Sequence, residues 1–309
     1  MRTIGSAVIT GPTGAIGTAL CRLLAQKRIR VFAVVHPGSV RSEHLLEMDG
    51  VELIRCDAAE ADKLSRLIPG ADAFFHLAWA KTVGSGRNDM DAQIRNIRYT
   101  VDACRAAFQL GCSVFVGAGS QAEYGRVDHA LTSDTPCFPE NGYGMAKLCA
   151  GQMSRAECEH LKVDHVWARI LSVYGPYDRR GTMVMSTIRK LLDGEKPALT
   201  SGIQIWDYLY ADDAAEGLFR MACSGKNGSV YPLGSGEARP LCEYIRCLRD
   251  SVNPALPLGF GEIPMADKQV MHLESDIREL QRDTGFTPKT SFAEGIRLTI
   301  DYVRRQDHA

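Results

Sequence analysis

TGPTGAIG, residues 10–17, stands between the run IGSAVIT (4–10) and a stretch over 15–28 that reads as a helix. Gly11, Gly14 and Gly17 therefore fall in a strand-to-helix turn. Glycine lets such a turn close tightly, and the first N–H groups of the helix have no partner of their own. The order strand, glycine turn, helix N-terminus makes a cradle for a pyrophosphate, with Thr13, Ala15 and Ile16 completing the wall. A glycine triplet alone is a weak signal, and the flanking elements give it meaning.

The same rhythm continues outward from this turn. RVFAVV, VELIRC, ADAFFHL, CSVFVGA and DHVWARIL read as strands, and segments near 60–68, 88–109 and 143–160 as helices. The strands are nearly continuous apolar runs, the pattern of a parallel sheet covered on both faces. The expected class is α/β, a doubly wound parallel sheet with a smaller C-terminal substrate lobe. After YGPYDRRG (174–181) Gly- and Pro-containing loops become frequent. This divides the chain into a dinucleotide-binding domain over 1–174 and a lobe over 175–309, with elements near 205–223 returning to the main sheet.

Composition narrows the partners. With 45% hydrophobic and 24% charged residues and a formal net charge of −1, the 309-residue chain reads as an ordinary globule. No basic excess points to nucleic acid. Apolar runs such as VFAVV and ADAFFHLAWA are too short to span a membrane, and the N-terminus enters a strand without a signal-peptide core. Ten cysteines include no CxxC pair, so no metal site and no disulfide framework is expected. Reduced thiols suit the cytoplasm.

YGMAK places Tyr143 and Lys147 four residues apart on a helix, hence on one face. A nearby ammonium favours phenolate over phenol, which lets a tyrosine exchange protons. Ser120 ends the strand CSVFVGA. The GxxGxxG turn, this YxxxK pair, Asp57 in IRCDAAE, FFHLAWA (74–80), Asn96, YGP (174–176) and WDYLYADD (206–213) together resemble the extended short-chain dehydrogenases/reductases. Their NAD-dependent epimerase/dehydratase group, mostly acting on nucleotide sugars, is the part resembled, nearly end to end. The resemblance implies a Rossmann-type fold and a Ser120–Tyr143–Lys147 triad. It also implies cofactor contacts from His36, Ser39, Arg41, Asp57, Ala58, Leu77, Ala78, Trp79, Asn96 and Lys147, and a homodimer built on the helices near 88–109 and 143–160.

Departures from the pattern refine the chemistry. Where 4,6-dehydratases of this group carry an aspartate and a glutamate, this chain has Gln121 and Ala122, neither of which titrates as an acid. Elimination of water is disfavoured, and Glu123 reads as a loop-fixing or substrate-bonding residue. The second strand ends VVHPGSVR without an acid, which suits NADP with Arg41 as counter-charge, NAD being the other choice. Substrate contacts are expected from Lys81, Gln121, Arg179 and Gln269, with Lys268 and His272 as further candidates. Ser172 and Trp206 replace the group's usual Asn and Arg and are placed in the same pocket. The expected function is hydride transfer at a nucleotide-sugar carbon, with 4-keto-sugar reduction placed ahead of 4-epimerisation. A hydrophobic alcohol or ketone is the alternative substrate, and a non-catalytic dinucleotide sensor the remaining reading.

Overall fold

The computed structural model describes residues 1–307. Strands β1 (Ser6–Thr10), β2 (Arg30–Val35), β3 (Val51–Arg55), β4 (Ala73–His76), β5 (Val114–Ser120) and β6 (Asp164–Ile170) build a parallel sheet. β7 (Ser172–Tyr174), β8 (Ala198–Leu199) and β9 (Ile205–Tyr210) lie outside it, and β10 (Ser229–Leu233) completes it. The order is β10-β6-β5-β4-β1-β2-β3. It reverses between β1 and β4, so the connections after these two strands diverge and leave a crevice at their carboxyl ends.

Each central strand sends alternate side chains to opposite faces. Phe74 packs into one core layer and Phe75 into the other, both fully buried, each contributing about 2–3 kcal/mol of burial. Helix α1 (Ala15–Gln26) lies against the Phe75 face. Short α2 (Leu64–Leu67) and long α3 (Met90–Gln109) cover the other, where α4 (Gly142–Leu161) packs beside α3. Asp89 and Asn141 cap α3 and α4 by accepting from Ala92 N and Gly144 N, which sets where each helix starts. The glycines of β5 have a packing cause. A Cβ at Gly117 or Gly119 would lie 2.3 Å from the Trp167 ring, and one at Gly151 of α4 2.8 Å from it.

The remaining helices are α5 (Met183–Leu192), α6 (Ala211–Ser224), α7 (Leu241–Val252), α8 (Arg278–Thr284) and α9 (Phe292–Asp307). α5, α7 and α9, with β11 (Ala238–Pro240), β12 (Gly259–Phe260) and β13 (His272–Leu273), form most of the smaller part. Its core is an aromatic cluster in which Phe292 lies 4.9 Å from Tyr174 and 4.6 Å from Tyr244. The stretch 205–223 divides differently from expectation. β9 is paired by β7, β11 and β13, so its edges are filled in the small sheet. It is α6, packed beside α1, and then β10 that return to the main body. Among the described residues no helix is long and apolar enough to cross a membrane.

Candidate active site

The glycine turn lies at the mouth of the crevice. Gly11 has φ +70°, and a Cβ there would come 2.8 Å from Ala78 N; one at Gly17 would come 2.2 Å from Gly11 O. Both therefore exclude any side chain. Gly14, the N-cap of α1, has nothing within 4 Å of its Cβ direction, and no side chain caps the helix. The free N–H groups thus face an open groove walled by Thr13 to Gly17, Leu77, Ala78 and Trp79. The groove runs on into a cavity of about 380 Å³ between the ends of β2 and β3. His36, Ser39, Asp57, Ala58 and Asn96 line that cavity. The two spaces fit the diphosphate and the adenosine half of a dinucleotide.

Two cofactor expectations change in detail. Arg41 does not line the adenosine cavity. Its guanidinium donates to Thr13 O and Tyr177 O, both at 3.0 Å, and bridges the glycine turn to the small lobe. It is not placed as a counter-charge for a ribose phosphate. No acid ends β2, but Asp57 after β3 lies beside it: His36 Nε2 is 3.1 Å from Asp57 Oδ2, while Gly38 N donates to His36 Nδ1. The Gly38 bond makes Nδ1 an acceptor, so the proton sits on Nε2 and points to Asp57. Asn96 is buried, and its amide closes on Ala80 N and O. It shapes the cavity wall by holding the chain after β4.

Ser120 at the end of β5 faces Tyr143 and Lys147 at the start of α4. Burial raises the Tyr143 phenol above its ordinary range, while a hydrogen bond with the Ser120 hydroxyl and the charges of Arg87 and Arg179 pull it down. The Lys147 ammonium is shared among several neighbours. Its Nζ donates to Ala118 O at 2.6 Å and lies 3.6 Å from the Trp79 ring centre, but 5.9 Å from that of Tyr143. Residues four apart share a face, yet Lys147 reaches inward, behind the groove wall formed by Ala118 and Trp79. Burial there brings its amine down to about 7.

Glu123 is not a substrate contact. It is fully buried and accepts from Ser120 N at 2.8 Å, Trp167 Nε1 at 3.0 Å and Arg169 Nε at 2.8 Å. Together with Ser120, which accepts from Ala122 N, it caps the turn after β5. Both of its carboxylate oxygens are engaged inside this cluster. Gln121 is partly exposed at the first position of that turn. The substitutions Ser172 and Trp206 touch each other, Trp206 Nε1 donating to Ser172 Oγ at 2.8 Å. Arg179 is exposed and lines the groove near Ala118 and Ile170. Lys81 is exposed at φ +58° on the loop after β4. Gln269 bonds the carbonyl of its own neighbour Val270 and does not line the groove, and His272 pairs with Glu274 at 2.9 Å.

Three residues that the sequence reading passed over belong to this neighbourhood. Arg87, on the turn Gly84–Asn88, stacks on Tyr143; Trp167 and Arg169 of β6 hold Glu123. None stands at a periodic position that would single it out.

Known proteins share this fold. A dTDP-glucose 4,6-dehydratase of Streptomyces antibioticus is 26% identical over 260 residues, covering 82% of this chain and 76% of that protein. The solved UDP-glucuronic acid 4-epimerase of Bacillus cereus, in complex with UDP-glucuronic acid and NAD, superposes with a TM-score of 0.85 at 22% identity, over 97% of this chain and 99% of that one. The dTDP-glucose 4,6-dehydratase of Streptomyces venezuelae, solved with NAD bound, gives a TM-score of 0.86 at 22% identity and 98% coverage of both. Residues 7–234 match the profile of the NAD dependent epimerase/dehydratase family. That span takes in the glycine cradle, the Ser120–Tyr143–Lys147 set and the return of β10, and the chain belongs to this NAD-dependent family.

Proposed function

We propose that the protein is a nucleotide-sugar 4-epimerase that keeps its NAD through the reaction. The observation that carries this is the Arg41 bridge, which ties the glycine turn to the small lobe across the groove. Such a bridge would favour keeping a cofactor bound in the groove, whereas a reductase must release it every turnover. The reductase expectation follows from the absent acid after the second strand with Arg41 as counter-charge, and Arg41 is engaged with Thr13 O and Tyr177 O. Gly11, Gly14, Gly17 and Asp57 would hold the cofactor, which supplies the hydride acceptor and donor.

The chain's own groups handle the proton. Tyr143 takes it from the sugar hydroxyl and gives it back to the same oxygen, while Ser120 hydrogen-bonds that oxygen and holds it in line. Lys147 fixes Trp79 and the Ala118 carbonyl behind them. Rotation of the keto-sugar between the two transfers inverts the carbon. Elimination of water has no free acid in this stretch, because Gln121 and Ala122 carry none and Glu123 is locked to Arg169.

The test is to denature purified protein, measure released NAD, and incubate native protein with UDP- and dTDP-hexoses while following products by NMR. Co-purified NAD and an epimer formed without net cofactor turnover are expected. Net consumption of NADPH would mean a reductase, and a 4-keto-6-deoxy product a dehydratase. We further propose a homodimer across α3 and α4, where Ile94, Phe108, Met145 and Met153 are exposed; a monomer in analytical sedimentation would refute it.

A further inference from the structure

A second cation lies beside the Tyr143 ring. The guanidinium carbon of Arg87 lies 4.8 Å from the centre of that ring, within cation–π range. Trp79 meets the same ring edge-on at 6.1 Å and 88°.

The turn that carries Arg87 is built to stay there. Buried Gln93 donates to Lys81 O and to Gly86 O, both at 3.1 Å. Asn88 Oδ1 accepts from Gly142 N at 2.9 Å, tying the turn to the residue just before Tyr143. A Cβ at Gly142 would sit 3.0 Å from Arg87 O, so the glycine is what lets the turn approach this closely.

Arg87 has no counter-charge. Its Nε is buried without an acceptor, and no carboxylate pairs with it among the described residues. Arginine cannot shed its proton, so this charge is permanent. The other groups facing Tyr143 are differently committed. Ser120 is neutral, Glu123 is paired with Arg169, and Lys147 donates to Ala118 O while its Nζ lies 5.9 Å from the Tyr143 ring centre. Arg179 acts on Tyr143 from the small lobe but is exposed, where solvent weakens its field.

We propose that Arg87 is a positioning residue of this site, a second fixed cation that, beside Lys147, stabilises the Tyr143 phenolate. The proton moves from the substrate hydroxyl to the phenolate oxygen and back, and Arg87 stays charged throughout. The charge lowers the cost of the deprotonated state without touching the substrate. This rests on Tyr143 being the proton-exchanging group of the proposed function.

The test uses NAD-loaded protein with Arg87→Met, which keeps length and removes charge, and Arg87→Lys, which keeps charge. Tyr143 ionisation is read from the ultraviolet absorbance of phenolate against a Tyr143→Phe blank, alongside the pH profile of turnover. The midpoint is expected at higher pH in Arg87→Met. Turnover at neutral pH should fall about tenfold or more and recover as pH rises, and Arg87→Lys should restore most of both. Should Arg87→Met not fold, Arg87→Gln takes its place in the comparison. An unchanged midpoint in the neutral variant, or a lysine variant as impaired as the neutral one, would overturn the proposal. If no nucleotide sugar is turned over but the midpoint moves, the proposed function fails and this inference stands. If turnover needs Tyr143 and the midpoint does not move, this inference alone fails.

Discussion

Glu123→Ala is expected to cost stability first and activity only as a consequence. The substitution removes the acceptor shared by Ser120 N, Trp167 Nε1 and Arg169 Nε. The Arg169 and Glu123 side chains are only 7% and 1% exposed, so no water replaces the lost carboxylate. Removing one partner of a buried ion pair costs about 3–5 kcal/mol, and each further orphaned donor about 1 kcal/mol or more. These terms share one cluster and do not add in full, which gives about 5 kcal/mol. A loss of that size lowers Tm by roughly 8 °C in a chain of this length. Thermal melts with and without NAD read it directly. Glu123→Gln, which keeps an acceptor oxygen, should lose less. Arg169→Met combined with Glu123→Leu should lose less than the two single changes summed, because neither leaves a charge unpaired. The reasoning is refuted if Glu123→Ala melts like the parent yet has no turnover. That result would make Glu123 a displaced general acid.

Other outcomes are equally definite. Tyr143→Phe should retain NAD and lose turnover by roughly 10²–10⁴-fold, measured by product NMR under saturating substrate. Gly17→Ala drives a methyl against Gly11 O, which is backbone and cannot turn aside; it should cost about 1–3 kcal/mol in melts and abolish NAD co-purification. Stability should fall steeply below pH 6.5. Burial holds His76 down near 3 and His165 near 4, so between those values and 6.5 the unfolded chain binds protons that the native one refuses. The stability is complete above pH 6.5 and lost as pH falls, by up to about 3 kcal/mol per histidine at pH 4. Melting curves against pH should show this, and His165→Asn should flatten the slope.

What could be read from the sequence was whatever lies within one element. The glycine cradle is local backbone geometry, and the parallel strands announce themselves as apolar runs, so both match the structure. Ser120 and Tyr143 were assigned through the family resemblance, and the structure sets their side chains beside each other. The spacing of Lys147 was read correctly as a shared helix face, but a side chain that long can turn inward, and the Ala118 carbonyl and Trp79 ring decide that it does.

The remaining surprises are relations between elements. Glu123 could not be assigned from GSQAEYG because its partners Trp167 and Arg169 lie 44 and 46 residues away on β6. The pairing of β5 with β6 sets Gly119 against Arg169 and Gly117 against Trp167. Small residues on one strand therefore admit large ones from the next, and these reach the turn that holds Ser120. The acid sought at the end of β2 follows the same logic, since β3 runs parallel beside it and brings Asp57 to His36. Arg87 lies on a loop with no period to betray it, and only the close approach allowed at Gly142 sets it on the tyrosine. In a parallel sheet the strand ends converge on one edge, so chemistry gathers from segments far apart in the chain. Register between strands therefore decides which neighbouring side chain each catalytic group meets.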